Sequence, residues 1–215
     1  MENKKIQTTE SGKIPPIRYA FIDVPNTEGT VRRLGFRTDW VKLFKYLKEQ
    51  WNCEKMFFYS GVERGDSVKI REYAELEALG YILRIKPYSI YRNRDKIVKI
   101  TCPKCFNEIE KKINSGVQWK SNCDVELAVD ATNNANCGVE YLIFSGDRDF
   151  DFLIRDVIEK GIKVYIVANA RKTEVADRYF VSRFSTKLRN LIAEKKDSVF
   201  YVDIDLWKLK IKKDI

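Results

Sequence analysis

Histidine is absent from all 215 residues of the chain. That absence removes imidazole acid–base catalysis, Ser-His-Asp triads and His-ligated zinc together. Long apolar runs are also missing. No stretch approaches the ~20 residues that a membrane span needs, so no membrane partner is expected. The opening "MENKKIQTTESGKIPP" has no apolar core of the kind a signal peptide carries, and reads as a flexible polar leader over residues 1–16. Cysteine is scarce: five residues, an odd number at irregular spacings, do not read as a disulfide framework. A chain of this length does not need one, and a reducing cytoplasm is the expected setting. There is no internal repeat or low-complexity tract.

What is abundant is positive charge. The chain holds 40 Lys+Arg against 31 Asp+Glu, a net charge of +9. The surplus gathers in "VRRLGFR" (Arg32, Arg33, Arg37), "YRNRDKIVK" (Arg92, Arg94, Lys96, Lys99) and "SRFSTKLRN" (Arg183, Lys187, Arg189), and the tail over 206–215 adds more. Such patches are the footprint of a polyanion, nucleic acid before membrane. Tyr88, Tyr91 and Trp119 lie near the basic stretches and could stack unpaired bases.

Apolar patterning predicts alternating strands and helices. "IRYAFID" (17–23), "EKMFFYSG" (54–61), "YILRIK" (81–86), residues 139–145, 162–168 and 199–205 read as strands. "TDWVKLFKYLKEQW" reads as a helix capped by Thr38 or Asp39, with Trp40, Val41, Phe44, Leu47 and Trp51 on its buried stripe. Gly80 stops a second helix; others are expected over 120–136, 149–160 and 183–195, with a short one in the tail. Residues 87–119 break the rhythm, being polar and basic, and read as an insertion or hairpin arm containing "KIVKIT" (96–101) and "CPKC" (102–105). The alternation implies one domain over 17–205 with a mostly parallel sheet covered on both faces. In a 3-2-1-4-5 strand order, Asp23 and Asp147 would face one crevice where the order reverses.

The acids themselves carry chemistry. Asp23, Asp124, Asp130, Asp147 and Asp149 are carboxylates without histidine, a donor set suited to Mg²⁺ or Mn²⁺. Such an ion relieves their mutual repulsion and acts on phosphoryl groups. With basic patches around it, the set fits a metal-dependent nuclease. Asp149 could instead cap the following helix, and Asp151 suits that helix's first turn. Asp124 and Asp130, six positions apart on a helix, differ in direction by about 120°, so both can hardly face one ion, and Asp124, nearer the helix start, is favoured. Asn26 would orient water or substrate, or serve as a turn residue after Pro25.

"FIDVPN", "WKSNCDVELAVDATNNA" and "YLIFSGDRDFDFLIRDVIEKGIKVYIVA" together resemble the NYN domain, a PIN-like nuclease family. The likeness spans most of 17–205. It implies a PIN-like three-layer α/β/α sandwich and a metal-dependent endoribonuclease acting on RNA, expected to be single-stranded. The acidic positions of the family fall on Asp23, Asp124 and Asp147, with Asp149 and Asp130 as further members, and Asn26 matches the polar residue of the first motif. Val24-Pro25 departs from the usual Gly-Asn pair and is expected to stiffen a loop beside Asp23.

Two rivals share some of these residues. Gly146, Asp147 and Asp151 also satisfy the GDxxxD motif of haloacid-dehalogenase-like phosphatases, but the acid that those enzymes need two residues after Asp23 is Pro25 here. A non-catalytic RNA-binding module is the other. Cys102 and Cys105 with Cys123 could hold a structural zinc, yet no second CxxC completes four ligands. Reduced thiols without metal are favoured, although two chains could share a site as a homodimer. Cys53 and Cys137 read as packing residues.

Overall fold

The computed structural model describes residues 15–176 and 179–214. Most of the expected leader, residues 1–14, lies outside the described residues. In chain order the first half holds β1 (Ile17–Asp23), α1 (Val24–Arg33), α2 (Trp40–Gln50), β2 (Cys53–Val62), α3 (Ser67–Leu79) and β3 (Ile82–Pro87). The chain then makes an excursion through β4 (Ser89–Arg92), β5 (Lys96–Thr101), β6 (Glu108–Ile113) and β7 (Val117–Lys120). The second half holds α4 (Asp124–Asn133), β8 (Val139–Phe144), α5 (Asp151–Glu159), β9 (Lys163–Ala168), β10 (Thr173–Ala176), β11 (Tyr179–Val181), α6 (Thr186–Glu194), β12 (Val199–Asp203) and α7 (Lys208–Ile211). Short 3₁₀ turns at Arg148–Phe150 and Ile204–Trp207 precede α5 and α7.

Six strands make one parallel sheet in the order β12-β9-β8-β1-β2-β3. The order reverses between β1 and β8, as the 3-2-1-4-5 expectation requires, and β12 extends the far edge. Successive side chains of a strand face opposite ways, and here both faces are covered. Tyr19 and Phe21 of β1 join a core with Leu127, Ile154, Val157 and Leu188, which places α4, α5 and α6 on one side. Ala20 and Ile22 join Val31, Leu43, Leu47, Leu76 and Ile211, which places α1, α2, α3 and α7 on the other. The result is the three-layer α/β/α sandwich expected of a PIN-like domain. Among the described residues no helix is long and apolar enough to cross a membrane.

Local chemistry explains the boundaries. Asp39 caps α2 by accepting the Lys42 N–H at 2.9 Å, and Gly80, at φ +121°, ends α3 in a conformation that costs other residues strain. Val41 turns out exposed and Leu43 takes its place on the buried stripe of α2. The larger departure is at Val24-Pro25. No loop separates Asp23 from the first helix: α1 begins at Val24, and Pro25 sits in its first turn, where a missing N–H costs nothing. Asn26 is accordingly a helix residue, not a turn residue. The small β10–β11 hairpin was also unexpected.

Residues 89–120 form the arm that the break in rhythm predicts, as two successive antiparallel ladders, β4 with β7 and β5 with β6. It leaves the body after β3 and returns immediately before α4. All residues of β4, β5 and β6 are exposed.

Candidate active site at the strand-order reversal

Asp23 ends β1 and caps α1. Its Oδ1 accepts the Asn26 N–H at 3.2 Å and its Oδ2 accepts the Ser145 hydroxyl at 3.1 Å. Ser145 directly follows β8, so this bond crosses the reversal point. Asn26 crosses it as well, its side-chain oxygen accepting the Gly146 N–H at 3.2 Å. The buried Thr27 hydroxyl lies 2.8 Å from the Asp23 carbonyl oxygen and 3.2 Å from that of Phe144. The Asp147 N–H is donated to Ser145 Oγ at 3.2 Å, and Asp147 Oδ1 in turn accepts the Asp149 N–H at 3.1 Å. Asp147 therefore caps the turn ahead of α5, the duty expected of Asp149. Asp124 opens α4, its N–H held at 2.8 Å by Asn122 Oδ1.

These carboxylates feel one another. Burial pushes the Asp23 carboxyl up to about 6; its Asn26 and Ser145 donors pull it back, and the charges of Asp124 and Asp147 push it further up. Asp124 is raised as well, first by burial, with Asp147 and Asp149 adding repulsion against the stabilising Asn122 bond. Asp23, Asp124 and Asp147 line one cleft of about 810 Å³, together with Asn26 and Tyr88. Arg32, Arg37 and Arg183 line the same cleft. The Arg183 guanidinium lies across α1 at Gly29, where an added Cβ would come within 2.6 Å of it. Glycine at 29 thus leaves room for this cation to lie close against the helix.

The other candidates are placed differently. Asp149 is exposed, 3.7 Å from Arg148 Nε, and borders a separate shallow hollow that Asp124 also edges. Asp130 does not join the cleft. Arg84 holds both its oxygens, at 2.9 and 3.1 Å, and the Tyr59 hydroxyl donates to it at 3.0 Å. Asp151 serves α5, accepting Arg155 Nε at 3.3 Å. Among the expected phosphate-binding residues, Arg33 joins Arg183, Arg171 and Lys172 in an adjoining cavity of about 370 Å³. Arg92, Arg94, Lys96 and Lys187 are exposed, the first three on the arm. Arg189 is occupied structurally, donating at 2.6 Å to the Ala170 carbonyl and at 3.2 Å to Ser182. Tyr91 is exposed on the arm, and the Trp119 side chain lies outside the described residues.

The three-cysteine zinc set does not assemble. Cys123 is buried in the body, its thiol 3.6 Å from the Ser60 carbonyl oxygen, while Cys102 and Cys105 sit at the tip of the arm. Cys53 is buried as expected, but Cys137 is exposed instead of packed. Among the described residues, no three His, Cys, Asp or Glu side chains are gathered as a ready-made metal cage.

Sequence reasoning missed Ser145, Thr27, Gly29 and Asn122. Ser145 stood in plain view as the first letter of SGD, but its service to a carboxylate 122 positions away needs the sheet order to be known.

No curated protein matches the chain significantly. A crystal structure of a protein of unknown function from Vibrio parahaemolyticus shares its fold, with a TM-score of 0.57, 19% identity, and coverage of 89% of this chain and 95% of that one. The family model described as NYN domain matches residues 19–186, which contain every acid of the cleft. With that match spanning most of its length, the chain belongs to the NYN domain family.

Proposed function

We propose that this chain is a divalent-metal-dependent endoribonuclease that cuts single-stranded RNA at the cleft of Asp23, Asp124 and Asp147. The observation that carries the reading is the convergence of those three mutually repelling carboxylates on a cleft that also presents Arg32, Arg37 and Arg183. Mg²⁺ or Mn²⁺ fits this donor set: hard carboxylate oxygens, no histidine, and room for the waters that such ions keep when only one or two carboxylates bind directly. When bound, the ion supplies Lewis-acid polarisation of a phosphoryl oxygen and a water acidic enough to attack at neutral pH.

The protein's own residues do the rest. Asp23 and Asp147 would hold the ion from the two strands that meet at the reversal, and Asp124 would hold it from the start of α4, with Asp149 adding negative potential from outside. Ser145 and Asn26 fix the Asp23 carboxylate from both oxygens. Because the Asn26 side-chain oxygen is engaged by Gly146, its amide NH₂ is the part left to orient water or a phosphate oxygen. Arg32, Arg37 and Arg183 bind the backbone phosphates, so association should weaken steeply with salt. Asp23 must be ionised to hold a cation, and activity should fall as pH drops through about 6.

The test is cleavage of labelled single-stranded RNA with Mn²⁺, comparing the native chain with Asp147→Asn. Internal cleavage is expected in the native chain, with a loss of at least ~100-fold in the variant, the scale of deleting one group that stabilises developing charge. Equal cleavage by both would remove these acids from the chemistry. RNA binding without cleavage under any divalent ion would leave a binding module. Hydrolysis of a small phosphomonoester, lost in Asp23→Asn, would point to the phosphatase reading.

A further inference from the structure

The arm ends in a feature that the cleft does not use. Between β5 and β6 the chain runs Cys102-Pro103-Lys104-Cys105-Phe106-Asn107. The Cys102 N–H donates to the Asn107 carbonyl at 2.9 Å, and the Phe106 N–H donates back to the Cys102 carbonyl at 2.9 Å. The turn closes with Phe106 at φ +58°, a left-handed conformation that is uncommon for a non-glycine residue. Within it, Cys102 and Cys105 stand three positions apart in one tight turn at the end of the arm. Two cysteines three apart in such a turn suit one metal ion.

We propose that this tip is one half of a zinc site, completed by the same tip of a second chain, so that two copies are joined through four cysteine sulfurs. Sulfur ligands in a chain without histidine select zinc over the hard ions suited to the cleft. Two sulfurs satisfy only half of its tetrahedron. Among the described residues, no third Cys, Asp or Glu stands with them. Cys123 and Cys53 are buried in the body. Cys137 precedes β8 and so lies toward the N-terminal end of a parallel sheet, whereas the arm departs from the C-terminal end of β3. A second copy related by a two-fold axis through the metal supplies an identical pair at no cost in new sequence.

The surroundings of the tip fit the same occupant. Ile100 and Ile109 face each other across the ladder and are 50% and 61% exposed, and Phe106 beside them is 78% exposed. An isolated two-stranded hairpin is marginal in water, and a symmetry-related arm would cover these side chains. Lys99 is paired with Glu110 at 3.1 Å and Lys112 with Asp95 at 3.2 Å, and the net negative charge of a zinc held by four thiolates lessens the repulsion of Lys104 and Lys111 from their counterparts. Nothing in this inference depends on the nuclease reading, and its test does not use RNA.

The reduced, metal-stripped full chain is titrated with Zn²⁺ and with Co²⁺ while bound metal and molar mass are followed. The expected result is one metal per two chains, a twofold rise in mass, and the visible absorption of Co²⁺ in four sulfurs. Cys102→Ser and Cys105→Ser should each lose both metal and dimer with unchanged far-ultraviolet circular dichroism, and Cys137→Ser should keep both. One zinc per monomer, a dimer that persists in the serine variants, or a Cys102–Cys105 disulfide with no metal uptake under reducing conditions would each overturn the proposal.

Discussion

β8, "VEYLIF", and β5, "KIVKIT", are both six-residue strands rich in strand-forming residues, yet they end in opposite environments. β8 has a partner on each side and helices over each face, and Tyr141, Leu142, Ile143 and Phe144 are fully buried. β5 has one partner and no cover, and Ile97 is 64% exposed. Strand-forming side chains are therefore a poor guide to burial. The lysines are better: β5 carries one on each face, at positions 96 and 99, so neither side of it can enter a core. Body and arm thus rest on different sources of stability, burial for one, and for the other its own ladder together with whatever covers its tip.

The strongest way to break this contrast is in the core. Phe144→Ala should lower unfolding stability by about 3–5 kcal/mol in urea titration, because it opens a cavity where β8 meets the aromatic ring of Trp207. A small effect would mean the body is far less tightly packed than β8 implies. Asp23→Asn should move stability the other way. The folded carboxyl near 6 lies above its ordinary 3.8, so the native state holds its proton more tightly, and ionising it works against folding as pH rises. That cost is absent below about 3.8, grows between the two values and is complete above 6. The variant should gain about 2–3 kcal/mol at pH ~8 and nothing at pH ~3.5. Equal stability at both values would show that Asp23 ionises freely. The smallest effect belongs to the arm: Ile97→Ala should change the unfolding free energy of the metal-free chain, from urea titration, by no more than about 0.5 kcal/mol. A larger loss would reveal that the arm is packed against something.

Much of this architecture could be read from the residues. Alternating runs, Gly80 and the Asp39 cap are local signals, and the crevice shared by Asp23 and Asp147 followed from them through the strand order. The arm announced itself by its charge. What stayed hidden depended on distance in sequence. Asp130 has the same letter as its neighbours in the motif, and only the position of Arg84 on β3 explains why its oxygens are engaged. Arg189 looks like a phosphate ligand until the Ala170 carbonyl is found against it. Val24-Pro25 misled for a different reason: proline breaks a helix interior but suits its first turn, and the sequence did not mark Val24 as the start.

Thr27 has a mechanical consequence. The last paired residues of β1 and β8 are Ile22 and Phe144, and beyond them a parallel ladder at a reversal point would begin to splay. The Thr27 hydroxyl, reaching the carbonyls of Asp23 and Phe144, acts as one more rung supplied by a helix. The ends of the two strands that lead to Asp23 and Asp147 are thereby tied together at the mouth of the cleft through one shared hydroxyl proton. Tyr88, Ser121, Asn122 and Asp124, which also line the cleft, come instead from the root of the arm and lie outside that rung.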